Sequence, residues 1–325
     1  MPLFFLASGY CFKEEYIYDI SKFINKRIKR IWWPYVKWMI LFILLHNIFF
    51  HLNILNDMYG LPDRHSSLYS PNEIITHCIR AAIFDSSEDL LGGFWFLKSL
   101  FWGSFIFYVL ITAAKRLQLK KTIKFPFLHV GFMLLLISWL LSIEYREFTV
   151  LHISSWDFHA AFFIWCGFAY KKVHWECDIR LTVLFGITSI IIGVLYWPCS
   201  MTDITFTHFL PFTITAILST WMCFSICRLV HLYIWKYPFS LFQGIFRFIG
   251  DNTMTILTWH FLSFKLVSLF LIIKHSLPIE QLAEYPVIKM FDSGFVWIAY
   301  SCVGLFIPLL LAVLNKYIKY DYLRF

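Results

Sequence analysis

Apolar residues gather into eight stretches long enough to cross a bilayer: 32–50, 93–114, 125–143, 153–170, 181–197, 208–230, 252–274 and 292–315. A spanning helix needs about 20 predominantly apolar residues. Residues 1–12 form a ninth apolar stretch, too short to span alone. The pattern predicts an all-α fold: a polytopic transmembrane helical bundle with eight full spans plus a partial N-terminal one. It is expected to form a single domain over residues 1–325, with the longest connector, 51–92, as an external loop.

Charge gives the threading a direction. With residues 13–31 placed in the cytoplasm and sides alternating from there, inside segments hold 20 Lys and Arg and outside segments hold 5. Cytoplasmic loops of membrane proteins carry this excess, so the C-terminus is expected in the cytoplasm. Trp32, Trp33, Tyr35 and Trp38 open one span, Tyr196 and Trp197 close another, and Tyr233, Trp235 and Tyr237 follow a third. Trp and Tyr favour the interface because an apolar ring carries a polar edge.

Composition agrees. Hydrophobic residues make up 59% of the chain and charged residues 15%, against about 25% charged in soluble domains. The net charge of +8 lies in short runs between apolar stretches, which reads as membrane orientation and not as a nucleic-acid surface. The eight cysteines show no C-x-x-C or Cys/His metal spacing. Only Cys78 and Cys199 fall outside in this threading, leaving one disulfide open. No P-loop, G-x-S-x-G or H-E-x-x-H pattern appears, so neither an ATP-driven machine nor a metalloenzyme is expected, and no metal site.

The opening "MPLFFLASGYCFKEEY" carries its charges after the apolar run, the reverse of a secretory signal. It reads as the cytoplasmic end of a helix begun further upstream. It also has an echo: residues 2–14 resemble 160–172 at a constant offset of 158, with Phe4-Phe5 over Phe162-Phe163 and Gly9 over Gly167. The echo is either a pair of analogous bundle positions or chance in an aromatic-rich chain. The loop 51–92 is either a cover over an outward-facing pocket or a solvated connector, with residues 71–84 as a short helix starting near Pro71.

Few residues offer chemistry. "FINKRIKRIWWPY" (23–35) places Arg27 and Arg30 three apart, flanked by Lys26 and Lys29. On a helix such a pair shares a face, and guanidinium groups offer planar bidentate donors to phosphate. The same run also suits helix orientation or anionic headgroups. Asp157 and His159 lie in "SSWDFHAAFF", either as a carboxylate orienting a base or as a structural pair. His260 and Lys265 follow "IGDNTMTILTW" on a helix capped near Asp251 and Asn252. His46, His129 and His208 have no evident partner in the sequence.

Four stretches, in order, carry a resemblance. "PLFFLASGYCF" resembles a PLFFxxSGYxF signature, and "FINKRIKRIWWPY" resembles FxxKRxxRxxxPY. "GFWFLKSLF" is similar to LWFLxxL, and "FIGDNTMTILTWHF" is similar to xxGxNSxxIYxxHF. Together they resemble the membrane acyltransferases of the acyltransferase 3 type, which include the O-acetyltransferases of bacterial polysaccharides. The resemblance implies about ten helices in the bacterial inner (cytoplasmic) membrane, an acyl-CoA co-substrate (commonly acetyl-CoA) and no bound cofactor. Its partners would be membrane lipids and an acceptor hydroxyl on a carbohydrate or lipid-linked glycan.

By position, Arg27 and Arg30, with Lys26 beside them, match the donor-binding arginine pair. Ser8, Gly9 and Tyr10 match the SGY motif, and His260 matches the late histidine. The family's first span, with its catalytic Arg and His, has no counterpart here, so a truncated N-terminus is expected. His260, His159 and Asp157 are the catalytic candidates that remain. Two other readings stay open: a transporter or flippase for a polar or lipid-linked solute, and an inactive truncated acyltransferase.

Overall fold

A computed structural model describes residues 1–59, 67–86, 88–119, 126–142, 147–148, 152–173, 178–196, 201, 206–233, 240–291 and 294–322. Helices dominate. α1 (Pro2–Tyr10) has proline in its first turn, where the missing N–H has no helical partner to lose. α2 (Glu15–Tyr18) and α3 (Ile20–Arg27) follow, with Asp19 capping α3 by accepting the Lys22 amide. A five-residue π-helical segment, Ile28–Trp32, joins α3 to α4 (Trp33–His51).

α5 (Pro71–Ala82) begins with a full capping box, in which Ser70 and Glu73 each accept the other's backbone amide. This is the short helix expected from Pro71. A 3-10 segment, Asp89–Phe94, feeds α6 (Trp95–Leu119), and α7 (Pro126–Leu141) comes next. Strands β1 (Glu147–Phe148) and β2 (Ile153–Ser154) pair antiparallel, with Glu147 opposite Ser154. The remainder is α8 (Ser155–Val173), α9 (Ile179–Leu195), α10 (Phe206–Tyr233), α11 (Ser240–Asp251), α12 (Thr253–His275) and α13 (Val296–Tyr322).

The all-α expectation holds apart from the two short strands. Among the described residues, five helical stretches are long and apolar enough to cross a membrane: Ile20–His51, Asp89–Gln118, Thr207–Leu232, Thr253–His275 and Val296–Lys316. They coincide with five of the eight predicted spans. Phe127–Leu141 and Ile179–Leu195 are apolar but shorter. The eighth, α8, contains Asp157, His159 and two lysines, and most of its residues are buried inside the protein. Trp197, Cys199, Trp235 and Tyr237 lie outside the described residues.

The chain divides into two compact units. The first comprises Met1–Trp33 and Phe96–Phe239. Its centre is the crossing of α1 with α8. A Cβ added to Gly9 would lie 1.8 Å from the Ile164 carbonyl oxygen, and one added to Gly167 would lie 1.8 Å from that of Leu6. The two backbones therefore touch directly, which only glycine permits.

These contacts obey the sequence echo. Leu6 and Ile164 are 158 apart, as are Gly9 and Gly167, so each glycine meets the echo partner of the other's contact. The pattern continues: Tyr10 packs on Tyr170 at 6.3 Å and Phe12 on Phe168 at 5.7 Å. Glu14 and Lys172, themselves echo partners, form an ion pair. Residue i contacting j while j's equivalent contacts i's is the mark of a two-fold relation. The order of contacts makes the two helices parallel. The echo is thus a structural pair, not chance.

The second unit comprises Pro34–Trp95 and Ser240–Phe325. Phe84, Ser86, Glu88, Asp89, Leu90, Leu91 and Phe94 are all buried. This end of the 51–92 loop is therefore no solvated connector. Tyr35, near the start of α4, donates to the Ser86 carbonyl at 2.9 Å and packs on Phe84 and Phe94. Gly93 lies against Leu257, His260 and Phe261 of α12. Irregular backbone beside membrane-length helices is tolerated when protein covers it, and the apolar residues of Asp89–Phe94 supply that cover. A 3-10 turn, Ile279–Ala283, packs its Leu282 on the Val267, Leu271 and Ile272 face of α12.

Candidate functional site

In the first unit, two of the predicted motifs meet. Arg27 Nη1 donates to Ser8 Oγ at 3.2 Å. The guanidinium carbon also stands 5.5 Å from the centre of the Phe23 ring, a cation–π distance. Phe23 is fixed in turn by stacking on Tyr108 at 4.4 Å. Lys26 Nζ donates to the Tyr16 hydroxyl at 2.8 Å, and Lys171 Nζ donates to the Phe12 carbonyl at 3.2 Å. Each residue of the SGY motif has its own task. Ser8 receives Arg27, Gly9 allows the α1–α8 contact, and Tyr10 packs between Tyr170 of α8 and Phe224 of α10.

Arg30 is placed differently. It lies within the π-helical segment and is exposed, as is Lys29. A π-turn closes on the fifth residue instead of the fourth, so the expected α-helical i,i+3 face is not kept. Arg27 is held by the protein, and Arg30 faces outward. The arrangement offers one fixed and one free guanidinium, both able to bind phosphate oxygens in pairs.

Asp157 and His159 do not form the dyad that their spacing left open. Asp157 Oδ2 accepts the Ser154 amide at 2.8 Å and its hydroxyl at 3.3 Å, holding the start of α8. His159 is sandwiched between Phe163 and Phe209 and its Nε2 meets Thr213 Oγ1 at 3.0 Å. The Thr213 hydroxyl gives its one proton to the Phe209 carbonyl, so Nε2 of His159 is the donor. Both faces of the ring are covered and Nε2 is engaged in packing the helices together. Between α1, α9 and α10 lies a cavity of about 340 Å³ with mostly apolar walls. None of the predicted site residues lines it.

His260, in the second unit, is the opposite case. Its Nδ1 lies 3.1 Å from the Ile256 carbonyl and 2.9 Å from that of Leu257. Carbonyls only accept, so Nδ1 carries the proton and Nε2 keeps its lone pair. The ring is half-buried, packs on Phe261 at 3.9 Å, and its Cε1 lies 3.6 Å from where a Cβ on Gly93 would stand. Phe261 packs on Tyr285 as well. Burial, reinforced by the charge of Asp89, pushes the Tyr285 phenol up, so it stays protonated. Lys265 Nζ donates to the Glu284 carbonyl at 2.9 Å.

One buried pair escaped the sequence reading. His46 Nδ1 lies 2.9 Å from Glu88 Oε2, and both side chains are 3% exposed. His46 Nε2 donates to the Ser67 carbonyl at 3.0 Å, and the ring stacks on Tyr69. The partners are 42 residues apart. No local spacing announces them; an acidic residue in the "EDLLGGF" turn before a span was the only signal.

Comparison with known proteins gives one family. A model of the acyltransferase domain, Acyl_transf_3, matches residues 1–314. No curated protein and no solved structure matches significantly.

Proposed function

We propose a specific reaction from the premise that the chain belongs to the acyltransferase domain family, whose model spans residues 1–314, and is a membrane acyltransferase. The reaction transfers an acyl group, acetyl in the simplest case, from acyl-CoA to a hydroxyl of a carbohydrate or lipid-linked glycan. The observation that supports a CoA donor is the held guanidinium of Arg27 beside the exposed Lys29 and Arg30. Three cations on one short segment suit the phosphates of CoA, and Arg binds them through paired donors. In this reading the segment and the C-terminus lie on the cytoplasmic side of a bacterial inner membrane, where acyl-CoA is available; the excess of Lys and Arg in the segments assigned inside supports that side.

Chemically, the acceptor oxygen attacks the thioester carbonyl, the C–S bond breaks and CoA leaves as its thiolate. The acceptor proton needs a base, and His260 Nε2 carries the free lone pair for it. Asp157 and His159 take structural roles in this reading: Asp157 Oδ2 holds Ser154 at the start of α8, and His159 Nε2 bonds Thr213 between two phenyl rings.

The experiment incubates membranes containing the full chain with labelled acetyl-CoA, with and without a polysaccharide acceptor. Acceptor-dependent labelling that drops on Arg27→Ala or Arg30→Ala supports the reading. Transport of a polar or lipid-linked solute without any labelling overturns it in favour of a transporter.

A further inference from the structure

We infer that Ser8 is a positioning residue for the donor site: its hydroxyl holds the Arg27 guanidinium in place for the phosphates of acyl-CoA. This rests on the donor reading of Arg27 given above. Three observations carry it. The first is the Arg27 Nη1 to Ser8 Oγ hydrogen bond, which joins residues 19 apart on separate helices. It uses one of the five guanidinium N–H groups and leaves others for a ligand. The second is the rigidity of the platform. Ser8 immediately precedes Gly9, whose backbone contact with Ile164 fixes α1 against α8. The backbone that carries this hydroxyl cannot shift without parting the two helices.

The third observation separates positioning from packing. Under the offset of 158, the equivalent of Ser8 is Cys166 on α8. Cys166 is buried, as a small packing residue in the same quasi-two-fold pair. The crossing therefore accepts a thiol at this register and does not require a hydroxyl. At position 8 the pair departs from its own symmetry, and that departure is where Arg27 arrives. A strong acceptor appears only on the side with a guanidinium to hold; sulfur is a weak one.

The symmetry also supplies the test. Ser8→Cys copies the residue that the pair already carries at the equivalent site, preserving packing while weakening the acceptor. Ser8→Thr keeps the hydroxyl. Equilibrium binding of labelled acetyl-CoA to the purified full chain is compared with binding of acetyl-pantetheine, which lacks the nucleotide phosphates. The expected result is a loss of about five- to tenfold in acetyl-CoA affinity for Ser8→Cys, within the range for one ordinary hydrogen bond, since the thiol weakens the acceptor without removing it. Acetyl-pantetheine binding and the unfolding midpoint stay unchanged, and Ser8→Thr binds acetyl-CoA close to the parent protein.

Wild-type affinity in Ser8→Cys, with Arg27→Ala still weakened, overturns the role of Ser8 alone. Equal losses in Ser8→Cys and Ser8→Thr, or an equal loss for acetyl-pantetheine, also overturn it, by making the effect one of packing. Unchanged acetyl-CoA affinity in Arg27→Ala overturns the donor reading beneath it.

Discussion

Three histidines of this chain share a side chain and differ in what their ring nitrogens do. His46 spends both, on Glu88 and on Ser67. His159 donates to Thr213 between two phenyl rings. His260 spends Nδ1 on its own helix and keeps Nε2. The difference predicts opposite mutant behaviour. His260→Gln is expected to lower acyl-transfer kcat by roughly 10²–10⁴-fold, the usual contribution of a general base, with the unfolding midpoint and acetyl-CoA affinity unchanged. His159→Ala is expected to lower the unfolding midpoint, because it empties a packed site, while kcat per folded molecule holds. Steady-state kinetics alongside thermal unfolding of both variants checks this, and a kcat loss confined to His159→Ala reverses the assignment. In the sequence His159 and His260 stand as catalytic candidates and His46 has no evident partner, yet none shows what its ring nitrogens do. Their roles depend on hydrogen-bond partners that only folding supplies: carbonyls one helical turn away for His260, and side chains 54 and 42 residues distant for the other two.

At the scale of elements, what was legible followed from periodicity and what was not followed from tertiary contact. The apolar stretches located the helices, and Pro71 marked the start of α5. The echo marked two related segments, and each of its matching glycines is where one backbone meets a carbonyl of the other. The π-helical turn at Ile28–Trp32 was not read from the sequence and breaks the α-helical register assumed for Arg27 and Arg30, although Pro34 just beyond it has no amide to bond the Arg30 carbonyl. The burial of Phe84, Ser86 and residues 88–91 was hidden too, because the acidic residues there look solvated until His46 is seen beside Glu88. The helix pair gives the prediction for this scale. Gly9→Ala and Gly167→Ala each place a methyl 1.8 Å from a backbone oxygen, where no side-chain rotation relieves the clash. Each is expected to cost about 1–3 kcal/mol, the range for overpacked cores. The losses of the double variant are expected to fall short of the sum, since one separation of α1 from α8 relieves both clashes. Denaturant unfolding of the two single variants and the double variant measures this; strictly additive losses contradict a shared crossing.

For the whole molecule, the membrane is the solvent that makes the composition intelligible. Ile190, Val194, Phe270, Ile273 and Phe306 are all largely exposed on long or apolar helices, which in water would be an aggregation surface and in lipid is the expected exterior. The proposed orientation rests on the basic residues, 20 of which fall in segments assigned to the cytoplasm and 5 in segments assigned outside. Cysteine labelling tests that orientation. Cys11 and Cys227 are exposed free thiols and belong to the cytoplasmic ends of their helices in this threading. Variants retaining only Cys11 or only Cys227 are expected to resist a membrane-impermeant maleimide in intact cells and to react once the membrane is permeabilised. A variant retaining only Cys78, on the loop assigned outside, is expected to react in intact cells. It should do so slowly, because burial raises its thiol pKa and so lowers the thiolate fraction. Labelling of Cys11 or Cys227 in intact cells inverts the topology. It would also place the Arg27 segment on the side away from acyl-CoA, so the orientation and the donor reading stand on the same experiment.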